Sequence, residues 1–283
     1  MSTLKVVLFG MLCLAITFQS CKNDDSEDTS SQTDTEILGV SAVSEFSNSL
    51  DFQTAVETST ANTAFGKSSE AVSNSSVAVC ANIALQTTNG SFPKTITVDF
   101  GTGCTYNSIT RKGKLIFTYS DFLSKTGSVL TIKRDGYFVN GKKIEGTTTY
   151  TNQTNANVTP YQPIWRRVIT DGKMTLENGS VFTLVEEETI KLVAGYDTKT
   201  DANDNVYNIY DGFRKVTRPN GTYLNTTIKE MLVKANACNF ISKGQLTLKG
   251  SFLDGVLDYG DGTCDNKAIY THTPNGLTYT ISL

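Results

Sequence analysis

The sequence is poor in the residues that carry most catalytic chemistry. Its 283 residues include one histidine, His272, and one tryptophan, Trp165. A single imidazole excludes HExxH zinc motifs, His-rich metal sites and most His-based proton relays. A serine triad would have to use His272, and no G-x-S-x-G elbow accompanies it. In YTHTPNG, His272 alternates with Tyr270 and reads as a strand-surface side chain. No P-loop, dinucleotide fingerprint or Cys-x-x-Cys occurs. No cofactor is expected, and no metal site. A net positive charge is also lacking: the formal net charge is −3, which leaves no electrostatic footprint for nucleic acid. Proline is scarce (5) beside glycine (22), a balance that favours strands and tight turns.

No apolar run reaches the ~20 residues needed to span a bilayer as a helix. What is there is a run of 13, Val6–Phe18, behind the short MSTLK start. That pattern fits the h-region of a signal peptide. It ends in Phe18-Gln19-Ser20-Cys21, a small residue directly before a cysteine. This resembles a bacterial lipobox, with Phe18 where the usual Leu would stand. The resemblance implies a signal peptide over 1–20, lipidation of Cys21 and a membrane partner reached through the lipid. Lys22–Glu36 is acidic, rich in Ser and Thr and nearly free of apolar groups. Residues 21–36 are therefore expected to be a flexible tether. Asp24, Asp25, Glu27 and Asp28 resemble the surface-export signal of Bacteroidetes lipoproteins, which implies the outer face of the outer membrane.

From Ile37 to about Ser76 the pattern changes. Val43, Phe46 and Leu50 fall at a helical period, so residues 37–76 are expected to hold one or two weak helices. From residue 77 onward nearly everything reads as strand. KTITVDF alternates Ile96, Val98 and Phe100, and KLIFTYS alternates Leu115, Phe117 and Tyr119. Asn-Gly pairs at Asn140-Gly141, Asn178-Gly179, Asn220-Gly221 and Asn275-Gly276 each predict a hairpin with a type I′ turn. The expected fold is all-β: an antiparallel meander or sandwich of hairpins over 77–283 with a short helical N-terminal segment. Two related β units, 77–155 and 156–283, are expected within it.

The basis for two units is a repeated phrase, ITVDFGTGC (Ile96–Cys104) and VLDYGDGTC (Val256–Cys264). Each follows another cysteine, Cys80 before Cys104 and Cys238 before Cys264. Four cysteines in an exported chain read as two disulfides with three possible connectivities. The matched spacings favour Cys80–Cys104 and Cys238–Cys264. The phrase then reads as scaffold: a strand end, a tight turn and a stapled Cys.

Other chemistry was weighed against plain structure. Asp258, Asp261 and Asp265 could gather around Ca²⁺, and DANDN (201–205) opens like a calcium loop, but Val206 stands where that loop needs Gly. A polar hairpin tip is the expectation at both places. Glu186, Glu187 and Glu188 in VEEETIK offer carboxylates for a glycosidase. Three consecutive Glu on one strand cannot all face one cleft, so a solvated edge is expected. Trp165, with Arg166 beside it, together with Tyr207 and Tyr210, forms the candidate ligand-binding set. Trp165 is a sugar platform if exposed and a core residue otherwise.

Phe92–Cys104, Arg111–Leu115, Val139–Thr147 and Asp258–Leu283, with the Ser-Cys signal end and the acidic segment, are similar to the corresponding stretches of an uncharacterised family of Bacteroidetes (Flavobacteria-type) surface lipoproteins. That resemblance implies export and a β fold, and brings no catalytic residue. The leading expectation is a lipid-anchored outer-membrane protein with a non-catalytic binding or structural role, its partner a glycan or an envelope protein. The alternative is a polysaccharide hydrolase with paired carboxylates. A closed ligand-holding barrel needs an apolar interior, against which the Thr- and Lys-facing strands argue.

Overall fold

The computed structural model describes residues 26–61, 80–87, 90–157, 161–198 and 202–283, with helix side chains over 35–60. The signal peptide and Cys21 lie outside these residues, as do residues 62–76 of the expected helical segment and Asp201.

One helix, α1 (Ser26–Ala61), precedes fourteen strands. They are β1 (Asn82–Thr87), β2 (Lys94–Asp99), β3 (Cys104–Tyr106), β4 (Ile109–Tyr119), β5 (Val129–Val139), β6 (Lys142–Asn152) and β7 (Ile164–Thr175). Then come β8 (Val181–Ala194), β9 (Val206–Thr217), β10 (Tyr223–Ala235), β11 (Lys243–Gly250), β12 (Asp254–Asp261), β13 (Lys267–His272) and β14 (Thr278–Ser282). They form one antiparallel meander in chain order, with β3 paired to β4 beside the main path. The fold is thus an all-β meander with a single N-terminal helix, one continuous sheet rather than a sandwich. The division expected at residue 155 falls between β6 and β7, which pair from Lys143↔Thr175 to Asn152↔Trp165. No ladder joins β1 to β14 among the described residues.

The sheet bends because its middle ladders are interrupted. Every ladder from β4–β5 to β11–β12 breaks register at least once. Bulges raise the local twist and curve a strand. Glycine makes two of these corners possible. At Gly113 (φ +81°) a Cβ would stand 2.0 Å from the Gly136 carbonyl oxygen, and at Gly212 (φ +122°) 2.0 Å from that of Glu187. The concave face so formed receives α1, which meets β4 through Tyr119, β5 through Arg134, β6 through Thr148, β7 through Arg167 and β9 through Arg214.

Alternation sorts the strands as expected: Ile96, Val98, Leu115, Phe117 and Tyr119 are fully buried. The helix does not follow its apolar stripe. Val43, Phe46 and Leu50 are only partly buried against the core, whereas Ser41, Ser44, Glu45, Ser47, Asn48 and Asp51 are buried. The polar side turns inward because the sheet interior there is itself charged. The helix also begins at Ser26, inside the expected tether. No Pro or Gly stands between Ser26 and Ile37 to stop a helix propagating back from its packed part. No helix among the described residues is long and apolar enough to cross a membrane.

Both disulfides are present, Cys80–Cys104 and Cys238–Cys264. The two repeated phrases share their local geometry. Asp99 accepts a hydrogen bond from the Gly101 N–H and Asp258 from that of Gly260, each at 2.8 Å, and both glycines have positive φ. The type I′ expectation holds at Asn140-Gly141, where both residues have positive φ, and fails at the other three pairs, where only the glycine does. There the Asn side chain accepts the N–H two residues on, from Ser180, Thr222 and Leu277, an Asx turn that keeps Asn out of the left-handed region.

Candidate functional site

Alternation on β7 puts Trp165 and Arg167 on the concave face and Arg166 on the convex one. The four candidate residues therefore separate. Trp165 and Tyr207 are inside, buried around Phe52 of α1. The Phe52 ring lies 5.3 Å from that of Trp165, 6.1 Å from that of Tyr207 and 4.3 Å from that of Tyr150. Trp165 is not an exposed platform. Arg166 faces outward, held by Glu187 at 2.8 Å and by Asp211 and Thr189 at 2.7 Å each. Tyr210 is 40% exposed. The remaining tyrosines do not share a face either. Tyr137 and Tyr150 are buried, Tyr223 is exposed, and the Tyr161 and Tyr196 rings meet at a tilt of 52° with centroids 4.8 Å apart.

The Glu run is the clearest correction. Glu186 and Glu188 are buried on the concave face of a central strand, and only Glu187 points out. They form one cluster with Glu45 of α1, Arg167 of β7 and Arg214 of β9. Arg167 forms ion pairs with Glu45, Glu186 and Glu188. Arg214 lies 2.5 Å from Glu45, 2.5 Å from Glu186 and 3.4 Å from Glu188. Three carboxylates thus face two guanidiniums. Burial opposes ionisation of Glu45, but Arg167 and Arg214 outweigh it and hold its pKa down at about 2. Glu188 goes the other way: burial and then the charge of Glu186 raise it to about 7, against the pull of the arginines. The carboxylates lie within 4.8 Å of one another, as metal ligands would, yet guanidiniums already supply the compensating charge.

A second station lies about one to two turns on. Arg134 binds Asp51 at 2.7 Å and Asn48 at 3.0 Å, and the Tyr137 hydroxyl donates to Asp51 at 2.7 Å. Arg111 donates to Thr54 at 2.8 Å, and the Tyr119 hydroxyl to the Ala55 carbonyl at 2.8 Å. These contacts fix the helix along the inside of the sheet. Period-2 spacing carried a signal for them, since Arg167 shares a face with Trp165 and Glu186 with Glu188. Their partner Glu45 lies 122 residues away, beyond any local pattern.

At the far end of α1 the filling is incomplete. A cavity of about 340 Å³ remains between Val56 of the helix, Phe122, Trp165, Leu192, Tyr196 and Tyr207. Among its described lining residues the only charged group is Glu57, which accepts a hydrogen bond from Gln53 at 2.9 Å. A second carboxylate for an acid–base pair is not among those residues. Trp165 is 5% exposed, and its indole Nε1–H has no hydrogen-bond partner among the described residues. A shallower trough adjoins the cavity through Leu192 and Tyr196, with Asp197 and Asp204 in its wall. Asp204 accepts from Thr198 at 2.5 Å. His272 stands apart on the exposed last hairpin, its Nδ1 3.0 Å from Asn275 Oδ1.

Comparison of the chain with protein-family models, with curated proteins and with solved structures finds no match in any of the three.

Proposed function

We propose that this chain is a lipid-anchored protein of the outer face of the outer membrane that binds a partner without transforming it. The observation that carries the binding role is the cavity beside Trp165 and Tyr207. It falls in the range of small-molecule sites, its walls are largely apolar, and a single carboxylate stands among its described lining residues. The acids that a hydrolase reading would recruit, Glu186 and Glu188, are neutralised by Arg167 and Arg214 in the interior. Support for the anchor comes from the sequence: the h-region ending in Ser20-Cys21, the acidic residues after it, and the likeness to Bacteroidetes surface lipoproteins.

The anchor is tested by labelling cells with radioactive palmitate and comparing the native chain with Cys21→Ala. Label lost in the variant supports the anchor; equal label in both removes it. Protease shaving of intact cells tests the outer face. Glycan-array binding together with turnover of the bound glycans tests binding against hydrolysis, and release of shortened sugars would replace the binding role with a catalytic one.

A further inference from the structure

We propose that a second cavity, between the middle of α1, the β3–β4 turn and the end of β10, binds one tetrahedral oxyanion of the phosphoryl or sulfuryl class through Arg111 and Lys234. This cavity shares only Glu57 with the one beside Trp165. The proposal goes beyond the binding role given above and does not rest on it.

Three observations lead to it. The first is a pair of buried cations that no carboxylate answers. Arg134, Arg167 and Arg214 each bind an acid of α1. Arg111, 6% exposed, donates instead to the Thr54 hydroxyl and lies 4.2 Å from the centroid of the Phe100 ring. Lys234, 4% exposed, donates to the carbonyls of Ala235 and Cys238. Neither forms an ion pair among the described residues. A buried charge without a counter-charge is costly, and a bound anion would supply one. The second is free donors at one cavity of about 90 Å³, to whose wall both residues belong. Thr54 lines it too, which brings the guanidinium end of Arg111 to the cavity. The other nitrogens of that guanidinium have no partner among the described residues and are not sealed from solvent. An ammonium has three N–H groups, and the two carbonyls leave Lys234 one to spare. One water needs ~10–15 Å³ of such space, so the cavity admits a group of several atoms. The third is the polar part of the wall. Asn107, Asn236, Gln53 and Ser49 carry amide and hydroxyl donors, which suit the oxygens of an oxyanion as the arginine fork does. The wall holds one carboxylate, the half-buried Glu57, against the two cations.

The full chain carrying Cys21→Ala, prepared without detergent, would be titrated calorimetrically with sulfate, with inorganic phosphate and with trimethyl phosphate at constant ionic strength. The last keeps the tetrahedral centre and lacks the charge. Sulfate and phosphate are expected to bind saturably, one ion per chain, and trimethyl phosphate not measurably. Arg111→Met should weaken sulfate binding about tenfold or more, the scale of a hydrogen bond to a charged group. Glu57→Gln removes the opposing carboxylate and should tighten it. Burial holds the Lys234 pKa down at about 8, and an anion beside it would raise it again. Sulfate does not titrate near that pH, so its binding there should take up part of a proton, read from heats in buffers of different ionisation enthalpy. That uptake should vanish in Lys234→Met. If Arg111→Met or Lys234→Met fails to fold, proton uptake and the Glu57→Gln result still decide. Capture of the chain by phosphatidate vesicles, competed away by sulfate, would identify a lipid headgroup as the source of the anion; ion binding without capture would identify a soluble one, and both support the site. Absence of saturable sulfate and phosphate binding, equal binding of trimethyl phosphate, unchanged affinity in Arg111→Met, weaker binding in Glu57→Gln, or no proton uptake each overturns the proposal. None of these outcomes touches palmitate labelling or glycan binding, so the oxyanion site can fail while the anchored binding role stands.

Discussion

Glu45 on the helix and Arg167 on β7, 122 residues apart in the chain, form a two-point ion pair in the interior, with one contact at 3.2 Å and a shorter one beside it. Arg214 closes on the same carboxylate from β9. The pair joins the buried polar side of an N-terminal helix to a sheet with a charged inner surface. Removing one member leaves the others buried and uncompensated.

Glu45→Ala is therefore expected to destabilise the protein by about 3–5 kcal/mol, the scale for stripping one partner from a buried ion pair. Val43→Ala, on the half-buried apolar stripe, should cost about 1 kcal/mol or less. Urea denaturation of both variants checks the ranking. A larger loss for Val43→Ala would mean that the helix docks by its apolar side.

Adjacent arginines should behave oppositely. Arg166→Met, on the convex face, should change stability by less than about 1 kcal/mol, as exposed pairs do. Arg167→Met should cost about 3–5 kcal/mol by leaving Glu186 and Glu188 poorly compensated. Thermal melts of the two proteins side by side decide this.

Glu188 sets a pH dependence whose sign follows from its raised pKa. The folded state holds a proton on Glu188 up to about pH 7, while the unfolded chain releases it near the ordinary value of 4.5. Its contribution to stability is complete below pH 4.5 and fades as pH rises through about 7. Glu45, held at about 2, contributes stability above 4.5 that is lost as pH falls toward 2. Glu188→Gln should abolish the decline between pH 4.5 and 7 relative to the native protein, read as the difference between their melting temperatures across pH. Parallel curves would refute the assignment.

Gly212→Ala should destabilise by more than the ~1–3 kcal/mol typical of a strained backbone position, because its Cβ would also collide with the Glu187 carbonyl oxygen. Ala at Gly179, also at positive φ but with open space around it, should cost only the conformational part. Equal losses would show that close approach at Gly212 adds nothing.

Each disulfide closes a loop of about 25 residues, worth roughly 3 kcal/mol on chain-entropy grounds. Cys80→Ser with Cys104→Ser and Cys238→Ser with Cys264→Ser should each lower stability by that order. Native protein digested without reduction should yield the two predicted linked peptide pairs, and a crossed pair would overturn the connectivity.

The strand pattern was legible because a half-solvated antiparallel sheet writes its period of two directly into the chain, as in Ile96–Val98–Phe100. The cysteine pairs were legible because each closes a short loop beside a repeated phrase. The helix was legible from Ile37 onward, but neither its start at Ser26 nor its orientation was. A hydrophobic stripe predicts the inward face only where the receiving surface is apolar, and here Arg134, Arg167 and Arg214 receive it. The Glu run was misread for the same reason: three charges in a row imply solvent unless counter-charges wait inside, and those come from β7 and β9. Of the candidate ligand residues, Trp165 and Tyr207 meet at one cavity, while Arg166 and Tyr210 look outward, since one step along a strand reverses the side.

By itself the amino-acid order determined the run of hairpin strands, narrowed the fold to an antiparallel meander or sandwich and favoured the two cross-links, all of which depend on residues close together in the chain. The tertiary structure alone decided what the curved sheet encloses. A polar helix is stable there only because charges from four distant strands converge on it, and the space at one end is bounded jointly by Val56 of the helix and by Trp165, Leu192 and Tyr207 of the sheet. Such convergence depends on curvature, and curvature is the sum of many bulges that no single segment announces.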